Sequence, residues 1–442
     1  MPTILLFGAG KSATSLIDYL ADSCGDGSRK LLVADIDTAL AAAKLKGRVH
    51  TETVAVDLEQ EDSRQQLIRQ ADVVISMLPA GLHPILAADC LKLGVHFFTA
   101  SYESEALRAM RQEIEAKGLL FLNECGLDPG IDHLSALKII HEAQSRGEVV
   151  RSFKSYCGGL LAPESEDNPW KYKFTWNPRN VVLAGQGMSK FLEHGEVKLV
   201  PYQQLFKRVE TIHFPGLGDF DGYPNRDSLN YQAIYGLEEV DTLLRGTLRR
   251  AGFCKAWDVF VQLGMTDDTA SVQLPSGSTY RQFFNTFLPW SDQLSVEEKL
   301  AELIPDLDFP TFEKFQWLRF FEQKLLPKTE GSPAQLLQAI LEEQWALQPA
   351  DRDLIVMQHQ FEIQTQTGIK KVISSLVDVG QDAVYTAMAK TVGLPLAIAV
   401  DLFLKGEISL RGLQLPVVPE LYLPILDALE KEGIRFEERV VD

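Results

Sequence analysis

The chain has 442 residues, 45% hydrophobic and 24% charged, which suits two or three folded units and argues against wholesale disorder. A formal net charge of −18 argues against nucleic acid or an anionic membrane as partner, since both attract basic faces. The five cysteines, Cys24, Cys90, Cys125, Cys157 and Cys254, form no CxxC pair and no metal-ligand cluster with histidine, so they are expected to be reduced thiols with no metal bound.

The N-terminal stretch Met1–Gly8 lacks the basic flank and cleavage site of a signal peptide. No run approaches the roughly 20 apolar residues that span a bilayer, and a cytoplasmic location is expected. Thr3–Phe7 is apolar and stops at Gly8, too short for a helix, so it reads as a buried strand of a parallel sheet. Ser12–Leu20 has helical spacing, and Lys30–Ala34 is a second strand ending in Asp35. The alternation recurs through Val54–Val56, Asp72–Met77, His96–Thr99 and Leu119–Leu122. It predicts an α/β fold that opens with a doubly wound parallel sheet, a Rossmann domain over residues 1–128.

Beyond Gly126 the texture changes, and Val149–Tyr156, Val197–Val200 and Val209–His213 read as strands of a mixed sheet. Ser295–Pro349 is rich in leucine, glutamate and glutamine with helical spacing, broken by Pro305, Pro310 and Pro333. It reads as a small helical insert, residues 295–349, within a second α+β domain of residues 129–294 and 350–382. Asp353–Ile363 and Lys370–Val377 read as a strand pair around Thr365–Gly368. Ala383–Lys405 and Pro416–Gly433 read as helices, and the tail 383–442 is expected to return to the first domain.

Gly8-Ala9-Gly10-Lys11-Ser12-Ala13 fits G-x-G-x-x-A at the end of a first strand and the start of a helix. Gly8 permits the tight turn, Gly10 admits a pyrophosphate to the backbone, and the helix start offers unpaired N–H donors. A purely structural turn is the alternative. Asp35 stands where a carboxylate accepts bonds from both ribose hydroxyls and repels a 2′-phosphate, which favours NAD over NADP. Lys11 or Lys30 can offset that repulsion, and a solvated helix cap near Asp37 and Thr38 is the alternative role for Asp35.

Ala100-Ser101-Tyr102 followed by Gly126-Leu127-Asp128-Pro129-Gly130-Ile131-Asp132-His133 resembles the domain junction of the saccharopine dehydrogenase family. Ser155–Leu160, Tyr172–Pro178, Gly222–Ser228, Leu244–Arg249 and Ala387–Pro395 resemble its glutamate-forming branch, in order and nearly end to end. The likeness extends to the dehydrogenase half of a bifunctional animal enzyme of that family. It implies an NAD(P)-dependent oxidoreductase that splits saccharopine, a secondary amine joining lysine and glutamate skeletons, and a homodimer. By the same resemblance Ser101, Tyr102, Asp128, Arg226 and Arg245-Gly246-Thr247 contact substrate, and Ser76, Met77, Leu78, Thr99 and Thr175 line the cofactor. Lys11, Ser12, Ala13, Ile36, Asp57 and Leu58 complete the expected cofactor contacts.

Three carboxylates on the substrate call for guanidinium groups, and Arg226 and Arg245 each sit among Pro, Gly, Asn and Thr in what reads as a loop. A loop ion pair is the bland alternative for each. Proton transfer at the substrate nitrogen needs an acid or base within reach, and Asp128, Tyr102 and Cys157 are the candidates. Each has a rival role: Asp128 orienting an ammonium, Tyr102 bonding a carboxylate, Cys157 filling space, while substrate amines and water move the protons. His133 is expected to anchor the helix after Pro129, and His83 to be structural. A carboxynorspermidine-type reductase and a non-catalytic dinucleotide sensor are the competing functions, and the paired arginines and the glycine turn weigh against them.

Overall fold

Thr3–Phe7 forms strand β1, with all but its first residue buried, as a strand covered on both faces requires. Lys30–Asp35 (β2) falls in its expected stretch, Thr51–Ala55 (β3) begins three residues before the expected Val54–Val56, as a half-exposed edge strand with polar residues, and Val73–Ser76 (β4), His96–Thr99 (β5) and Leu120–Leu122 (β6) fall in the expected stretches. They pair in parallel in the order β3–β2–β1–β4–β5–β6, with Gly412–Gln414 added beyond β6. The chain winds one way from β1 to β3 and the other way from β4 to β6, so β1 and β4 flank the switch point where such sheets bind ligands. The helices between are stopped by local chemistry: Asp37 accepts the Leu40 N–H at the start of Thr38–Leu45, and Gly94, at φ 75°, ends His83–Leu93.

The computed structural model describes residues 1–441 and resolves into two units. The first comprises Met1–Val149, Thr365–Thr367 and Ser374–Arg439. It therefore runs past residue 128, because the helix Ile131–Ser145 packs on the helix Pro419–Lys431, with His141 Nδ1 2.8 Å from the Tyr422 hydroxyl. The helix Ala387–Leu404 closes the sheet against Thr14–Ser23, and a Cβ at Gly393 would lie 3.0 Å from Leu16 Cβ, so that crossing depends on glycine. This helix corrects one sequence expectation: its 18 residues, mean hydropathy 1.7, are long and apolar enough to cross a bilayer, and 78% of them are buried inside the fold as a core helix.

The second unit comprises Val150–Gln364, Gly368–Ile373 and the chain end from Val440. Its strands include Val149–Leu161 (β7), Met188–Glu193 (β8), Glu196–Pro201 (β9), Glu210–Phe214 (β10), Gly218–Pro224 (β11) and Thr242–Arg250 (β12). The order β10–β11–β12–β7 continues into the hairpin strands Asp353–Thr365 and Gly368–Val379. β12 runs antiparallel to β11 and parallel to β7, the mixed sheet expected. The sequence reading missed β8, β11 and β12, whose alternate positions carry polar residues or glycine in place of an apolar stripe.

Helices Val296–Leu303, Phe309–Trp317 and Pro333–Gln344 occupy residues 295–349, with Ser295 and Ser332 completing capping boxes with Glu298 and Gln335. They are not a separate body. Leu300, Phe315, Leu337 and Leu341 belong to the same apolar cluster as Trp170, Phe253 and Trp257 of the preceding stretch. Trp170 stacks on Phe260 at 5.8 Å and meets Phe315 and Trp345 edge to face, so truncating it to alanine would cost about 3–5 kcal/mol.

Candidate active site

The first unit brings the expected cofactor residues to the carboxyl ends of its strands. Gly8 follows β1 at φ +100°, and a Cβ there would sit 2.9 Å from the Met77 carbonyl oxygen beyond β4, so both conformation and space demand glycine. A Cβ on Gly10 would meet nothing, which leaves its backbone open on the side where a pyrophosphate would approach. Lys11–Ala13 is a single tight turn that leads into the helix Thr14–Ser23, and neither start carries a side-chain cap.

Asp35 ends β2 and is committed to the turn. One carboxylate oxygen accepts the Ala9 N–H at 2.6 Å and the other the Asp37 N–H at 2.9 Å. Asp37 is the helix cap, so the alternative considered for Asp35 belongs to its neighbour. Ile36 beside it is 85% exposed, an apolar surface of the kind a planar base covers. Lys44, missed in the sequence, reaches back from the helix Thr38–Leu45 to the Gly10 carbonyl at 2.5 Å. Burial draws its pKa down to about 8 against the upward pull of Asp35 and Asp18, so a titratable cation stands at the glycine turn. Asp57 Oδ1 accepts the Glu59 N–H at 3.0 Å, and Leu58 packs on the apolar cluster beneath the sheet. These features fit a nicotinamide dinucleotide.

The next strand ends hold the expected cofactor residues Ser76 and Thr99, and the loops beyond them hold the expected substrate residues of this unit. Ser76 ends β4 and Thr99 ends β5; the Thr99 hydroxyl donates to the Ser76 carbonyl at 3.0 Å and accepts the Ser101 N–H at 3.2 Å. The Ser101 carbonyl takes the Glu124 N–H at 2.9 Å, and Glu124 Oε1 takes the Glu103 N–H at 3.0 Å. With residues 101 and 103 anchored on both sides, Tyr102 directs its hydroxyl to Asp128 Oδ1 at 3.3 Å. Asp128 precedes Pro129 in the turn whose Gly130, at φ +146°, has no room for a Cβ against the Gly126 backbone. His133 is fully buried and binds Glu124 Oε2 at 2.9 Å, a scaffold for this loop. His83, also expected to be structural, joins two site residues: Nδ1 lies 2.7 Å from Ser76 Oγ and Nε2 2.7 Å from Ser101 Oγ.

In the second unit, Arg245-Gly246-Thr247 lies within β12 and not in a loop, which corrects the sequence reading. Alternation puts Arg245, Thr247 and Arg249 on one face of that strand, and Thr247 pairs with Cys157 of β7 and Tyr223 of β11. Gly246 has no Cβ because one would lie 2.5 Å from the Tyr156 ring. Arg226 sits in the turn after β11 at φ 52°, and that turn is stitched to β12: Asn225 N–H donates to the Arg245 carbonyl at 2.8 Å, and Arg245 N–H donates to Ser228 Oγ at 2.9 Å. The Arg245 guanidinium, in a residue 6% exposed, lies 4.3 Å from the Tyr231 ring centre.

Arg249 was not singled out from sequence. It is 4% exposed, lies over Tyr172 and Phe253 at 5.3 and 5.5 Å, and forms no ion pair among the described residues. Its signal was the R-x-T-x-R alternation, legible only once the strand is known. Cys157 is buried on β7 within reach of that charge. The Thr175 hydroxyl is buried with no hydrogen-bond partner among the described residues. All the cysteines are free thiols, and no group of three or more His, Cys, Asp or Glu among the described residues is arranged to hold a metal ion.

Two family models cover most of the chain: saccharopine dehydrogenase NADP binding domain over residues 4–122 and saccharopine dehydrogenase C-terminal domain over 126–434. The NADP(+)-dependent, L-glutamate-forming saccharopine dehydrogenase of Schizosaccharomyces pombe is 34% identical over 100% of both chains. The mitochondrial alpha-aminoadipic semialdehyde synthase of Rattus norvegicus is 36% identical over 98% of this chain, which spans 47% of that longer protein. The solved apo saccharopine dehydrogenase (L-Glu forming) of Saccharomyces cerevisiae superposes with a TM-score of 0.90 at 34% identity, covering 100% of both chains. A homospermidine synthase of Legionella pneumophila, at TM-score 0.58 and 9% identity, shares the fold alone, with 100% of this chain and 92% of that one covered. The chain belongs to the saccharopine dehydrogenase family.

Proposed function

We propose that this chain is a glutamate-forming saccharopine dehydrogenase: saccharopine, NAD(P)+ and water yield L-glutamate, 2-aminoadipate 6-semialdehyde, NAD(P)H and a proton. The observation that carries this is the likeness to the fission-yeast enzyme of that name, which covers 100% of both chains. The bound nicotinamide supplies the acceptor for hydride leaving the carbon beside the secondary nitrogen. Asp35, Ile36, Lys44 and the Gly8–Ala13 turn would hold its dinucleotide. Asp35 alone favours NAD, whereas the Lys44 cation at the same turn favours a 2′-phosphate, and the fission-yeast relative is named for NADP(+).

Within this reading the chain's own groups place the substrate and move its protons. Arg226 and Arg245 pair with carboxylates, and Ser101 and Thr247 add hydroxyl contacts. Asp128, bonded to the Tyr102 hydroxyl, takes a proton from the secondary amine so that its lone pair can assist hydride departure; water then adds to the imine and the carbinolamine collapses. Cys157, beside the Arg249 charge, is the second proton-transfer candidate. A homodimer and a cytoplasmic location belong to the same proposal, and light scattering and cell fractionation test them.

The experiment is to mix purified protein with saccharopine and NADP, then NAD, following reduced nicotinamide by absorbance and assaying glutamate. Equal amounts of both products are expected. Folded protein that binds dinucleotide yet turns over neither pair would refute the activity and turn attention to polyamine substrates.

A further inference from the structure

Ser76, His83 and Ser101 form a chain of two hydrogen bonds, each 2.7 Å, running from the end of β4 to the loop after β5. Neither serine hydroxyl has another hydrogen-bond partner among the described residues. His83 is 3% exposed, and burial draws its pKa down to about 4, so the ring is neutral near pH 7 and carries one N–H. One serine must therefore donate to the ring and the other must accept from it.

The difference in burial between the serines decides the direction. Ser76 is 1% exposed, while Ser101 is half-buried. Were Ser101 the donor to the ring, Ser76 would accept from Nδ1–H and its own buried O–H would have no acceptor, an unpaired donor that costs more than any net gain from the bond. With Ser76 donating to Nδ1 and Nε2–H donating to Ser101 Oγ, every buried hydrogen is used, and the one left over, on Ser101, faces outward.

We infer that His83 is a positioning residue: through a fixed Nε2–H tautomer it turns the Ser101 hydroxyl outward as a donor, selecting an anionic group such as a carboxylate over an ammonium at that point. The assignment deepens the saccharopine reading and rests on it for the identity of the carboxylate. The tautomer and its direction rest on the burial and hydrogen bonds of His83, whatever the substrate.

Two measurements test it. Nitrogen NMR of full-length protein carrying labelled histidine, with the His83 signals identified by their loss in His83→Gln, should show a protonated Nε2 and a bare Nδ1. The opposite pattern, or a ring protonated at both nitrogens at pH 7, overturns the inference whether or not saccharopine is the substrate. Steady-state kinetics then separate positioning from mere support. Ser101→Ala and His83→Phe should each raise the saccharopine KM about tenfold or more and leave the dinucleotide KM unchanged. The double variant should be no worse than Ser101→Ala alone, and His83→Gln, whose amide can accept from Ser76 and donate to Ser101, should recover most of the loss. Additive effects, or an unchanged saccharopine KM in both single variants, overturn it. If His83→Phe does not fold, Ser76→Ala replaces it: freeing Nδ1 should raise the saccharopine KM, and no change counts against the relay. Absence of saccharopine turnover in the unaltered protein would instead refute the substrate, leaving the NMR result to decide the tautomer.

Discussion

Replacing His83 by glutamine should make the protein less sensitive to acid, by an amount the structure sets. An imidazole in the unfolded chain takes up a proton near pH 6.5, whereas burial holds the folded one down to about 4. Between those values the unfolded state binds the extra proton, so His83's contribution to stability is present in full above pH 6.5 and is lost as the pH falls towards 4. The gap of about 2.5 pH units corresponds to roughly 3.4 kcal/mol. At about 2.1 cal/mol/K per residue, 442 residues unfolding together convert that into a fall of roughly 4 °C in Tm, and about twice that if the first unit unfolds alone. Calorimetry of the original and His83→Gln proteins at steps from pH 7 to pH 4 gives the comparison directly. The Tm difference should shift by that amount in favour of the variant, while His96 and His141, whose pKa values burial also lowers, cancel between the two. A difference that stays constant over this range would refute the claim that His83 is buried neutral.

Gly8→Ala places a Cβ 2.9 Å from the Met77 carbonyl oxygen at φ +100°, a strain of about 1–3 kcal/mol, and should weaken dinucleotide binding in a fluorescence titration. Lys44 loses its proton near pH 8, so NADPH affinity should fall as pH rises through that value, and Lys44→Met should bind more weakly below pH 8 with the pH dependence flattened. Arg245→Ala removes a buried guanidinium from the face it shares with Thr247 and should raise the saccharopine KM by about 30-fold or more with NADPH affinity unchanged; unaltered kinetics would remove Arg245 from the site. Asp35→Ala removes the acceptor of the Ala9 and Asp37 N–H groups, so it should narrow any preference between NAD and NADP and also weaken binding of both, as parallel titrations would register.

Local rules made much of this protein legible before any coordinates. The inner parallel strands β1, β2, β4 and β5 are short apolar runs ended by Gly8, Asp35, Ser76 and Thr99, because strands buried on both faces tolerate little else. The glycine turn, the strand ends around it and the Ser101–Tyr102 and Asp128–Gly130 segments are contiguous in sequence, so their chemistry could be read there directly. β12 escaped because its alternate positions hold Arg245, Thr247 and Arg249, which break the apolar signature of a strand while serving the same face. His83 and Lys44 escaped for a related reason: a lone histidine beside a proline and a lysine on a short helix say nothing about where their nitrogens end.

What the sequence by itself determined is the order of elements, the glycine turn and the family, since each depends on residues adjacent in the chain or on motifs kept in order. Only the tertiary structure decided that Lys44 returns to Gly10 across 34 positions and that His83 joins β4 to the loop after β5. It alone placed Arg245 and Arg249 on a shared face and merged residues 295–349 with the core around Trp170. The physical reason is that hydrogen-bond direction, burial and charge compensation depend on which distant atoms close around a group, and a one-dimensional pattern holds no record of them.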